Sequence, residues 1–564
     1  MPDQKVENAL NLALNISSEE LEKTTDLRVG YDEKERKWEL IIRYEGSLAK
    51  VRQLSDSVTE LLGGYAVITV AEDLINVVSN LQEVIYVEKP KRLNFQIENG
   101  IRNSCINPVR TSPYDLSGDG VLLGIVDSGI DYTHEIFIDE SGESRILEIW
   151  DQQSDIVYTK EDIDKALEAL KVDSMAPVLS RDISGHGTAV ASIAASVAAN
   201  SQIIAVKLGN PKENSFPKTS ELMKGIDYLV RRAMAYGRPM AINVSIGNNY
   251  GSHDGTSLLS TYIDAVANMS RLSIAVGMGN EGVSATHTSG RLAREDKVEE
   301  AQTVEFNVGA YEKSFNIQLW KSYVDSFNIS LKSPSGASTG FISNKAGVGE
   351  YMLENTQIYV YFGEPSPYSQ YQEIYIEFIP NNGYIQSGTW QFALKSVRVI
   401  DGRFDMWLPV ETTSKDTAFL APTPDTTLTV PSTSTAVVSV GAYDSYTDRY
   451  ADFSGRGYTR NIGYVKPDIV APGVNIVAAL ANYSSNNNKY VERTGTSFAT
   501  PFVTGSVALM MEWGIVKGND MYLYGEKVKA YLQKGARQLA GFLEYPNPQV
   551  GYGALCLRNS IVGT

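Results

Sequence analysis

Cysteine is nearly absent from this 564-residue chain, with Cys105 and Cys556 as its two examples, far apart in sequence. That excludes a small scaffold built on disulfides and points to a reducing compartment; neither cysteine stands at metal-ligand spacing. Histidine is scarce too: His134, His186, His253 and His287 are the full set. Basic residues fall short of acidic ones, 50 against 67, and the formal charge of -17 speaks against general affinity for phosphate backbones. No nucleic-acid partner is therefore expected. No apolar run approaches the length of a membrane helix, so no membrane span is expected. The stretch from Met1 to Asn11 has neither the basic nor the apolar region of a secretion signal, and we expect an intracellular protein.

What is present is the composition of a folded protein, 43% hydrophobic and 21% charged, with a length that predicts two to four domains. Residues 26 to 90 predict a small α+β sandwich: strands at Trp38 to Tyr44, Tyr65 to Val70 and Val84 to Val87, with helices at Leu48 to Leu62 and Ala71 to Leu81. Glu88 to Asn107 is expected to be an exposed connector. From Val121 the texture changes. Val121 to Val126, Ile203 to Leu208, Met240 to Ser245 and Leu272 to Val276 are apolar runs of the kind buried on both faces of a parallel sheet. Helical patterns lie between them, so the fold class is α/β with a doubly wound sheet. Between about 291 and 430 the helix signals stop and β-branched and aromatic runs take over, which predicts an inserted β-sandwich of jelly-roll type. The expected domains are thus 1–96, 97–290, 291–430 and 431–564, with the α/β domain discontinuous.

Four short segments carry chemistry. Asp127-Ser128-Gly129 ends the first apolar strand, where open α/β sheets bind ligands, although alone it is an ordinary turn. Gly185-His186-Gly187-Thr188 opens a helix of small residues, and the glycines allow close approach to the imidazole. Gly495-Thr496-Ser497 through Pro501 starts another helix, whose free NH groups could stabilise an oxyanion; the plain alternative is an N-cap serine. Pro501 is expected in its first turn. Gly279-Asn280-Glu281-Gly282 follows a strand and offers a side-chain amide.

The chain order Asp127, His186, Ser497 is one of three orders in which Ser-His-Asp triads occur. Together with Ser245-Ile246-Gly247, Asn280 and Lys466-Pro467-Asp468 through Gly473, these segments resemble the signatures of the subtilases over residues 110 to 290 and 431 to 557. The resemblance implies a subtilisin-like fold with Ser497 as nucleophile, His186 as general base and acid, and Asp127 as its orienter. It also implies Asn280 as oxyanion donor, Ser245, Ile246, Gly247 and Gly279 as substrate-binding positions, and no catalytic cofactor or metal. The sandwich at residues 26 to 90 resembles a subtilase propeptide, which implies a propeptide over 1–96 that is expected to be cut between Gln96 and Ile97.

Arg145 through Gln152, Gly251-Ser252-His253-Asp254-Gly255 and the large insert are similar to the Csp germination proteases of spore-forming anaerobes. That implies a propeptide that stays bound after cleavage, the zymogen of a spore cortex-lytic hydrolase as substrate, and a place within the spore. The rival expectations are a pseudoprotease scaffold and a general degradative protease. One departure from the family is that the usual calcium loop after the catalytic-His helix is missing, so no calcium is expected there. The insert, with Trp320, Trp390 and Trp407, is expected to supply that stability by clamping the catalytic domain.

Overall fold

A computed structural model of the chain describes residues 5–562 except 25, 92–93, 96–102, 173–175, 210–216, 295–300, 346, 461–463 and 483–488. The chain divides into two compact units. One comprises Leu93–Gly247, Leu259–Val283 and Leu428–Thr564; the other comprises Met1–Arg92, Asn248–Leu258 and Ser284–Thr427.

The first unit is built on a nine-stranded sheet. Its central strands run in the order Val438–Asp444, Leu272–Gly277, Met240–Val244, Leu122–Asp127, Gln202–Lys207 and Ile146–Asp151, all parallel to their neighbours. The Leu122–Asp127 strand is buried at every position, as its unbroken apolar run predicts. Helices His186–Val197 and Thr496–Met511 share one core with this sheet. They approach closely because the first is rich in small residues and the second has Gly505 at the contact, where a Cβ would lie 2.4 Å from Val197.

Two expectations need correction here. The helix continues through a π-turn, and Thr496–Val516 is long and apolar enough to cross a membrane; 89% of its most apolar window is instead buried inside the protein. The two cysteines, remote in sequence, are joined as a disulfide between Cys105 and Cys556, with Cα atoms 4.7 Å apart.

The second unit holds two cores. Residues 31–88 form a five-stranded antiparallel sheet, but the single helix expected over Leu48 to Leu62 is only Ala49–Leu54. Ser57–Leu61 is an edge strand, paired with Tyr65–Ala71 across a tight turn at Gly63 and Gly64, both at positive φ. β-branched Val58 and Thr59 and a turn needing φ > 0 outweigh the helical spacing. The expected Ala71 to Leu81 helix shortens to a 3-10 turn and Ile75–Ser79. Two helices not expected, Asn8–Ala13 and Ser18–Lys23, bring Leu10, Leu12 and Leu21 into this core. Nor is the start of the connector exposed, since Glu88 and Lys89 are buried.

The insert is two antiparallel sheets of six and four strands around one aromatic core containing Phe306, Phe315, Phe378 and Trp390. Trp390 and Trp407 are buried within the unit, Trp407 stacked between His253 and His287. Tyr359, Tyr361 and Tyr375 of the insert, with Ile379, complete the core of the N-terminal sheet.

Candidate active site

Asp127 ends its strand at the carboxyl edge of the parallel sheet, fully buried. Its Oδ1 accepts a hydrogen bond from the Ser128 NH at 2.8 Å and lies 2.7 Å from His186 Nδ1. That bond fixes the imidazole tautomer, with Nδ1 protonated and Nε2 directed elsewhere. His186 is the first residue of its helix, and the flanking glycines have separate reasons. Gly185 sits at φ +72°, and a Cβ on Gly187 would lie 2.2 Å from the Gly129 carbonyl and 3.0 Å from the Asp127 Cβ.

Ser497 is the second residue of the Thr496–Met511 helix, next to Phe498, whose ring meets the His186 imidazole edge-on at 5.4 Å. Its Oγ donates to the Ser245 carbonyl at 3.1 Å. Ser245 in turn donates from its own Oγ to the Ser497 carbonyl at 2.9 Å. Pro501 explains the second bond. It lies inside the helix rather than in the first turn, and its missing NH would leave the Ser497 carbonyl without an i to i+4 partner. The Ser245 hydroxyl fills that role and accepts from Asn243 Nδ2 at 2.9 Å.

Asn280 is oriented by its oxygen. Oδ1 accepts from the Thr496 NH at 3.0 Å and from Thr496 Oγ1 at 3.2 Å, while Thr496 Oγ1 accepts from the Gly279 NH at 3.2 Å. Among the described residues neither Asn280 Nδ2 nor the Ser497 NH donates to anything in the protein. These are two donors beside one hydroxyl at a helix N-terminus, the arrangement that stabilises an oxyanion.

Ile246 and Gly247 form a two-residue strand paired antiparallel with Phe95 and Asn94. Glycine is needed at both 247 and 279, where a Cβ would meet Thr429 at 2.6 Å. The expected cut between Gln96 and Ile97 lies outside the described residues. Sequence reasoning missed two features: the Ser245 hydroxyl as a carbonyl partner, and Asp182, a fully buried carboxylate. Only the place of Asp182 just ahead of Gly185-His186-Gly187 could have drawn attention to it.

The model described as "Subtilase family" matches residues 118–333 and 420–553, and the "Csp protease B prodomain" matches residues 4–91. The solved structure of the Clostridium perfringens CspB protease is similar over 81% of this chain and 95% of its own, with 36% identity and a TM-score of 0.75. Serine protease AprX of Bacillus subtilis is 35% identical over 152 residues, 24% of this chain and 32% of AprX. The PII-type proteinase of Lactococcus lactis subsp. cremoris is 24% identical over 74% of this chain, which spans only 24% of that longer protein.

Proposed function

The chain belongs to the subtilase family, and from that premise we propose that it is a serine endopeptidase that first cuts its own N-terminal propeptide. The observation that carries this reading is the Asp127–His186 pair at 2.7 Å beside a helix N-terminus that presents Ser497. In the reaction, Ser497 Oγ exchanges its bond to the Ser245 carbonyl for one to His186 Nε2, gives up its proton there and attacks the substrate carbonyl. The oxyanion takes the Ser497 NH and Asn280 Nδ2, and the imidazolium, held by Asp127, passes the proton to the leaving amine.

The register supports cleavage between Gln96 and Ile97. Phe95 pairs with Ile246 and Asn94 with Gly247, next to Ser245, the residue whose carbonyl holds the Ser497 hydroxyl. We assign residues 1–96 as the propeptide, 97–290 and 431–564 as the catalytic domain, and 291–430 as the insert. The packing of the insert tyrosines into the propeptide core supports retention of the cut propeptide. The physiological substrate we propose is the zymogen of a spore cortex-lytic hydrolase, acted on within the spore.

Intact mass of the purified wild type beside Ser497→Ala tests the central claim. The wild type should appear as two fragments divided after residue 96, and the variant as one full-length chain. Equal processing of both would overturn autocatalysis, and an uncut wild type would point to a pseudoprotease scaffold.

A further inference from the structure

We propose that Asp182, a carboxylate outside the triad, is a positioning residue for the reaction: it locks the Asp127 loop to the His186 helix and so sets the Asp127–His186 geometry. This inference rests on the triad assigned above. Asp182 is fully buried, and among the described residues no lysine, arginine or histidine pairs with it. A buried carboxylate in that situation is tolerated only if its lone pairs are filled by other donors.

They are filled, and the donors come from two places. Oδ1 accepts from Ser128 Oγ at 2.8 Å and from the Gly185 NH at 2.9 Å; Oδ2 accepts from the Thr188 NH at 2.8 Å and from Thr188 Oγ1 at 2.7 Å. Ser128 follows Asp127, while Gly185 and Thr188 bracket His186. Each hydroxyl then makes a second bond across the same gap. Ser128 Oγ accepts from the Gly187 NH at 2.9 Å, and Thr188 Oγ1 accepts from the Asp131 NH at 2.8 Å. Three of these bonds hold Asp182 to the His186 segment, and three, through Ser128 and the Asp131 NH, reach the segment that follows Asp127, with one carboxylate at the hub. Hydrogen bonds to an ionised acceptor are the shorter and stronger kind, which suits a hub that must not shift.

Helix capping alone would use only the two NH bonds, from Gly185 and Thr188. The Ser128 hydroxyl also caps the Gly187 NH, but its bond to Asp182 ties that turn to the residue that follows Asp127, which capping of the helix by Asp182 alone would not require. The two roles therefore separate experimentally. Autoprocessing is intramolecular, so its rate reports the chemistry without a KM, and a misplacement of about 1 Å costs about a hundredfold.

The test measures the first-order processing rate of the full chain against pH for the wild type, Asp182→Asn, Ser128→Ala and Thr188→Val, with a melting curve for each. Asp182→Asn should slow processing about a hundredfold. Its acid limb should move to lower pH, because a misaligned Asp127 stabilises the imidazolium less. Ser128→Ala and Thr188→Val should give smaller losses in the same direction while melting within a few degrees of the wild type. If Asp182→Asn processes within about twofold of the wild type, the proposal fails. If Asp182→Asn does not fold and both single-arm variants process at the wild-type rate with an unmoved acid limb, it fails equally. A wild type that does not process overturns the triad reading instead, which keeps the two failures apart.

Discussion

At the residue scale the most informative pair is Ser245 and Pro501. A proline in the second turn of the Thr496–Met511 helix removes one backbone donor, and the Ser245 hydroxyl restores the lost bond at the Ser497 carbonyl. Ser245→Ala should therefore leave a buried carbonyl unpaired and cost about 1–3 kcal/mol of stability. In a Pro501→Ala background, where the backbone NH returns, the same change should cost clearly less. Thermal melting of the four proteins in the cycle reads the difference; equal costs in both backgrounds would show that the two residues are not coupled. The segments carrying the proposed triad, Asn280 and the Ser-Ile-Gly strand stand out in the sequence because their glycines betray a close approach, as at Gly187 against Asp127. Asp182 does not, because an aspartate ahead of a helix has too many ordinary reasons to exist.

At the scale of elements, long apolar runs declare their structure in the sequence and short amphipathic ones do so less well. The strands Leu122–Asp127 and Met240–Val244 announce themselves by burial on both faces. The segment from Ala49 to Leu61 has helical spacing but carries β-branched residues and a double glycine that only a hairpin accommodates. The end of the His186 helix, where a calcium loop was expected to be missing, has its own answer. Arg145 donates to the carbonyls of Ile136 at 3.0 Å, Ala198 at 2.9 Å and Ser201 at 3.0 Å, a positive charge at the negative end of a helix. This guanidinium holds that turn, and burial pushes its pKa down to about 10, still charged at neutral pH. Arg145→Met should lower stability by roughly 2–4 kcal/mol, since three carbonyls, two of them on the buried residues Ala198 and Ser201, lose a charged donor. Adding chelator to the wild type should leave its melting temperature unchanged; a fall on chelation would place a structural metal here after all.

At the scale of the molecule, the propeptide is held by an interface that titrates. Glu373 of the insert accepts from Asn8 of the propeptide at 3.0 Å, and burial, partly offset by that bond, pushes its carboxyl from 4.5 up to about 8. The folded form thus holds a proton that the unfolded chain gives up near pH 4.5, so this contribution to stability falls as pH rises from about 4.5 to 8. Lys89 works the other way. Burial pushes it from 10.5 down to about 8, so the unfolded chain holds the extra proton between those values and the contribution recovers as pH rises further. Glu7, Glu88 and Lys91, which pair with one another beside Glu373, share the site. Glu373→Gln, which keeps the acceptor and removes the titration, should melt close to the wild type at pH 5 and increasingly above it toward pH 8. A constant difference across that range would mean that Glu373 does not titrate in the window. None of this was visible in the sequence, because pairing Asn8 with Glu373 requires two segments 365 residues apart to meet.

The disulfide has a consequence for what a protease does to its own kind. Cys105 and Cys556 are separated by 451 positions, so the chain between them is a closed covalent circuit that takes in the sheet, the insert and all three proposed triad residues. A single nick anywhere in that circuit opens the ring without releasing a piece, and the two sides remain one molecule, free to stay folded. The predicted cut at Gln96 falls outside the ring. Maturation can thus free the propeptide from the backbone, whereas an accidental second cut inside the ring cannot divide the enzyme.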